Sequence, residues 1–194
     1  MKSHYFIASF FFLLFISSLK AQVDPFGGGG AFAESPFSSP GELPEFKPFV
    51  QGLDLNKVRI TPIEPFDLKS LIDTRNRLFI IDTREHNEFD VSHIKGAKRV
   101  GYNNFSVEKV WMLDRNTTII LCSIDDSRAK HVGAYLKMMG FVDVRVISGN
   151  IIGWVNAGYS LVDKDGHATT SIMFVNKEDA KKLKKGKGKA VYPD

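Results

Sequence analysis

The chain has 194 residues, 43% of them apolar, and a formal net charge of +4, which is enough for one packed domain with extensions. The charge is uneven: residues 51–163 hold 15 Lys/Arg against 14 Asp/Glu, and residues 164–194 hold eight Lys against four acids. A near-neutral centre argues against a nucleic-acid surface there, and a single cysteine excludes an internal disulfide.

Lys2 is followed by an apolar run from Phe6 to Leu19 that ends in Ser17-Ser18-Leu19-Lys20-Ala21. The run is short of the roughly 20 residues a membrane helix needs. Residues 1–21 read as a secretory signal peptide cleaved near Ala21, which predicts a periplasmic or secreted protein. Residues 22–57 carry Pro25, Gly27 to Gly30, Pro36, Pro40, Pro44 and Pro48, a composition expected to stay flexible. Phe26, Phe32, Phe37 and Phe46 are spaced through this segment. The glycine run lacks the following Lys-Ser/Thr of a phosphate loop.

Order is expected over 58–163. Short apolar runs predict strands at Val58–Ile60, Leu78–Ile81, Val100–Tyr102, Thr118–Leu121 and Val144–Ile147. Helices are expected at Pro65–Ile72, with Pro65 in the first turn, and at Gly149–Val155. A third spans Arg128–Met139, with Val132, Tyr135, Leu136 and Met139 on one face and Gly140 past its end. Strands alternating with helices predict an α/β fold with a parallel sheet covered on both sides. In the extension 164–194, Asp165-Gly166 marks a turn and Ser171–Val175 an edge strand. Lys177–Lys189, with seven lysines, reads as a solvated tail able to make weak contact with an anionic surface.

Cys122 follows the strand-like run Thr118–Leu121 and precedes Ser123-Ile124-Asp125-Asp126-Ser127-Arg128 and the helix. A thiol facing a helix N-terminus is where a thiolate can be stabilised. Arg128 is a permanent cation able to clamp an anion. Asp125 and Asp126 oppose an anion if they point inward, and leave the loop amides free if they point outward. A buried structural cysteine is the competing reading.

From Leu71 to Val162 the chain resembles a rhodanese-like domain. The matching blocks are Asp82-Thr83-Arg84, Glu88-Phe89 and Ser92-His93-Ile94-Lys95-Gly96-Ala97, then Cys122 with its loop and helix. Gly140-Phe141, Val144, Ser148-Gly149-Asn150 and Trp154 complete the order. The resemblance implies a central parallel sheet of about five strands and Cys122 as a persulfide-forming nucleophile. Residues 123–128 would be its substrate loop. A donor such as thiosulfate passes sulfane sulfur to Cys122, and a thiol or other nucleophile removes it. No cofactor or metal is implied. An exported thiol of this kind requires an external reductant. Asp82, Arg84 and His93 would be structural supports near the site, with Asp82 and Arg84 each tying down a different neighbouring segment.

Two departures stand out. The family commonly carries Cys-x-x-Gly-x-Arg, with Arg five residues after Cys. Here Arg128 is six after Cys122, the loop has no glycine, and Gly140 is also one residue late. The extra residue is expected in the loop, giving a wider cradle. Related members with the longer loop are phosphatases of the cell-cycle type and arsenate reductases. Three readings therefore stand: sulfur transfer, a non-catalytic interaction domain, and oxyanion chemistry at Cys-x5-Arg.

Overall fold

The computed structural model describes residues 36–74 and 77–193. The proposed signal peptide, Phe26, Phe32 and the glycine run lie outside the described residues. Five strands form one parallel sheet: β1 (Thr61–Ile63), β2 (Leu78–Asp82), β3 (Lys98–Arg99), β4 (Thr118–Cys122) and β5 (Val144–Ile147). Their order is β1-β5-β4-β2-β3. β2 and β4 pair along their full length, from Leu78 opposite Thr118 to Asp82 opposite Cys122. Near-continuous Ile, Leu and Val in these strands suit a sheet buried on both faces.

Helices cover both faces, as the alternation predicts. One face holds Ile80, Ile120, Cys122 and Ile147 against α2 (Pro65–Asp73), α3 (His86–Val91) and α6 (Asn150–Asn156). The other holds Ile81, Ile119 and Leu121 against α4 (Glu108–Trp111) and α5 (Asp126–Met138). Pro65 occupies the first turn of α2, where its missing N–H costs nothing. α5 ends at Gly140, φ 97°, with Gly140 N–H donating to Lys137 O and Phe141 N–H to Leu136 O. This is a Schellman stop, and it requires glycine for the left-handed step.

Strand positions shift modestly. The first forms at 61–63 instead of 58–60, and the third at 98–99 instead of 100–102. The flexible reading of 22–57 is corrected for its described part. Pro40–Glu42 makes a 3-10 turn and α1 (Phe46–Gln51) docks beside α5. Phe46 stacks on Phe105 at 4.7 Å and meets Tyr102 and Tyr135 edge-on. Tyr135 Oη donates to Pro44 O at 2.7 Å. The prolines break regular structure without preventing aromatic anchorage.

The solvated tail is also corrected. β6 (Leu161–Val162) and β7 (Ala168–Thr169) form a hairpin about the Asp165-Gly166 turn. β8 (Ser171–Met173) then pairs in parallel with β9 (Lys189–Val191), outside the main sheet, with α7 (Lys177–Ala180) between them. Ile172 and Phe174 are fully buried, and Ala180, Leu183 and Ala190 pack beside them. The lysines stay exposed while the few apolar residues between them face the core. Among the described residues, no helix is long and apolar enough to cross a membrane.

Candidate functional site

The candidate site lies where β4 passes into α5. Cys122 is the last strand residue and is 0% exposed, within the core formed by Ile80, Ile120 and Ile147. Its carbonyl accepts from Thr83 N–H at 2.9 Å. Burial, and then the Asp82 carboxylate, push its thiol well above the usual range, and Arg84 offsets this only in part. Burial of this thiol opposes the stabilisation that a helix N-terminus would give a thiolate. The physical reason is that the strand end carries the sulfur into the apolar core.

Ser123 is the first residue past the strand and is also buried. Its carbonyl accepts from Ile151 N–H at 3.0 Å, and its hydroxyl lies 3.4 Å from Asp125 N. Ile124 turns into the core. Asp125 is the N-cap of α5, its Oδ1 accepting from Arg128 N–H at 2.8 Å. Asp126 and Ser127 are exposed in the first turn. The segment between strand and helix is Ser123 to Asp125. Cys122 itself belongs to β4, whose pairing with β2 runs through it. Counted from Ser123, Arg128 falls at the family's five-residue spacing.

Arg128 does not offer a free clamp. Its Nη1 lies 2.9 Å from Glu88 Oε2, and its Nε lies 3.3 Å from Asp125 Oδ2. Asp125 and Asp126 occupy the positive end of α5 that would otherwise draw an anion. A cavity of about 340 Å³ opens above this turn, lined by Ile124, Asp125, Asp126, Asn150, Asn156 and Lys182 among others. Cys122 is not among its walls.

Two residues missed at the sequence level organise this turn. Glu88 is almost fully buried on α3, closes a capping box with Glu85 and pairs with Arg128. Its place in the Glu-Phe block was the available signal. Asn150 follows Gly149 in a left-handed backbone, φ 55°, and its Nδ2 donates to Asp126 Oδ1 at 2.7 Å. Nothing in its residue type announced that contact.

The three supports are placed as follows. Asp82 and Arg84 are fully buried and pair with each other: Nε to Oδ1 at 3.0 Å, and Nη2 to Oδ2 at 2.6 Å. This corrects the expectation that each would tie down a separate segment, because residues two apart along a strand direction share a side. Arg84 also donates to Glu88 O and Ser92 O, so it holds α3 and the turn after it. Burial alone would weaken its charge, but Asp82 holds it firmly protonated. His93 exchanges both backbone hydrogen bonds with Val162, each 2.8 Å, and stacks on Phe89 at 3.9 Å. Its Nδ1 lies 3.0 Å from Phe89 O.

Residues 64–157 match the family model described as the rhodanese-like domain. The chain is 29% identical over 108 residues to a tRNA uridine(34) hydroxylase of Bacillus pumilus, covering 53% of this chain and 32% of that protein. It is 30% identical over 93 residues to a probable adenylyltransferase/sulfurtransferase MoeZ of Mycobacterium tuberculosis, covering 47% and 24%. It therefore spans about a third or less of the length of these curated relatives. Among solved structures, the BH2092 protein of Bacillus halodurans superimposes with a TM-score of 0.50 at 19% identity, covering 55% of this chain and 79% of that one.

Proposed function

Residues 64–157 being a rhodanese-like domain, we propose that it serves as a non-catalytic binding module. The observation that carries this reading is the full burial of Cys122, which pushes its thiol pKa up and disfavours the thiolate. A sulfur-accepting cysteine must present a thiolate to its donor. Here the side chain at the family's spacing from Arg128 is the hydroxyl of Ser123. Arg128 is already neutralised by Glu88 and Asp125, and the turn's rim is acidic. Thiosulfate and phosphate esters are anions and would meet that field unfavourably. The reading removes the need for an external reductant, since an enclosed thiol resists oxidation. It also holds for an exported protein, as the composition of residues 1–21 suggests, and the mass of the mature protein tests that export.

Incubation with thiosulfate followed by intact-mass measurement is the direct test. No added sulfur is expected. A gain of about 32 Da, lost in Cys122→Ala, would restore sulfur transfer through Cys122 as the function. That second reading is favoured by one observation, the position of Cys122 at the end of β4, close to the N-terminus of α5. Turnover of an aryl phosphate, abolished by Cys122→Ser, would instead support oxyanion chemistry.

A further inference from the structure

A groove of about 700 Å³ lies at the β3 edge and shares no lining residue with the cavity over the turn after β4. β3 pairs with β2 only at Ile81 and Asp82, so among the described residues Leu78 to Ile80 have no strand beside them on that side. Phe79 is left lining the groove, together with Phe89, His93 and Ala97. Phe89 and His93 are stacked nearly parallel, with an interplanar angle of 7°. Their pairing fixes a planar apolar wall, and the hydrogen-bond contact of His93 Nδ1 with Phe89 O sets the ring's orientation.

The rim has the opposite character. Lys98 and Arg99 on β3, Lys109 on α4 and Lys164 in the hairpin after β6 all line the opening. Asp90 is the one acid among the lining residues, and it already faces His86 at 3.3 Å. Three separate parts of the chain thus bring cations to one opening. Lys109 Nζ donates to Arg99 O at 2.6 Å, which anchors that cation; the Lys164 backbone N–H donates to Asp90 O at 3.1 Å, while its Nζ lies 3.4 Å from the exposed Asp165 carboxylate. The volume, about 700 Å³, falls in the range of small-molecule sites.

We propose that this groove binds a small organic anion with a flat apolar body, such as an aromatic carboxylate. The rings of Phe79, Phe89 and His93 would cover the body, and the cationic rim would hold the acid group. This site does not depend on whether Cys122 is active, so it stands or falls separately from the reading of the turn.

The test is an NMR titration of the isotope-labelled protein with 1-naphthoate, its neutral amide 1-naphthamide as the control. Naphthoate is expected to shift the amides of Phe79, Phe89, His93 and Lys98, while naphthamide binds at least about tenfold more weakly. Added salt should weaken naphthoate, because the rim is open to solvent. The double variant K98E/K164E alters exposed side chains and should keep the unfolding midpoint, yet lose naphthoate affinity by about tenfold or more. Three results would overturn the proposal: no shifts at millimolar naphthoate, shifts confined to other surfaces, or equal binding of the amide. Unchanged affinity in a folded K98E/K164E would do the same.

Discussion

The two faces of the sheet are filled with different chemistry. The Cys122 face buries an ion pair and a thiol among aliphatic side chains, and the extension after β7 closes it. The α5 face buries aromatic rings, and the segment before β1 closes it with Phe46. The first face is held by directional, charge-assisted bonds, which tolerate loss of a partner badly. The second is held by area and ring packing, which fails gradually. The candidate site belongs to the first, so the sulfur beside the helix N-terminus is enclosed by aliphatic side chains and a buried ion pair.

The sharpest way to break this contrast is to remove one partner of the buried pair. Arg84→Met leaves the Asp82 carboxylate uncompensated and also frees the carbonyls of Glu88 and Ser92. A loss of about 3–5 kcal/mol is expected in urea unfolding. A loss below about 1 kcal/mol would mean that the pair does not organise this face. On the other face, Phe46→Ala should cost less, about 2–3 kcal/mol, because α1 can undock while the sheet stays intact. Proteolysis within residues 36–56 of that variant should rise while cleavage in the sheet does not.

Cys122 itself gives a finer test. Cys122→Ala should cost about 1–2 kcal/mol through the small cavity it leaves. Cys122→Ser should cost more than Cys122→Ala, because a hydroxyl placed among Ile80, Ile120 and Ile147 is short of partners. Iodoacetamide should label the native thiol only as fast as the protein opens. Fast native labelling would show that the sulfur is reachable after all.

How far this was legible in the sequence differs between elements. Leu78–Asp82 and Thr118–Cys122 are apolar runs bounded by polar turns, so period and length identify them. The stop of α5 was written as Gly140. Phe46 and Leu183 were not legible as anchors, since a ring among prolines or a leucine among lysines has no period. Their burial is decided by a distant surface. At the site, Cys122 was read by residue type, and type cannot tell the last residue of a strand from the first of a loop. A single step changes which way a side chain points. The pairing of Asp82 with Cys122 supplies that information, and it is long-range.

The smallest expected effect lies on the aromatic face and depends on pH. His131 Nδ1 lies 2.7 Å from Tyr102 Oη, and the rings stack with centroids 5.6 Å apart. Burial lowers the pKa of His131 below its ordinary 6.5, and Asp125 offsets this only in part. The unfolded chain therefore takes up its proton first as pH falls. The stabilisation from a neutral His131 is complete above about pH 6.5 and is lost as pH falls through the lower folded value. Urea midpoints measured from pH 7.5 down to 5 should fall more steeply in the native chain than in His131→Gln, which cannot titrate. Arg84 and Cys122 stay in one protonation state over this range, so the Cys122 face should add little to the slope. If His131→Gln keeps the full slope, the acid sensitivity lies elsewhere, and the aromatic face is held by packing alone.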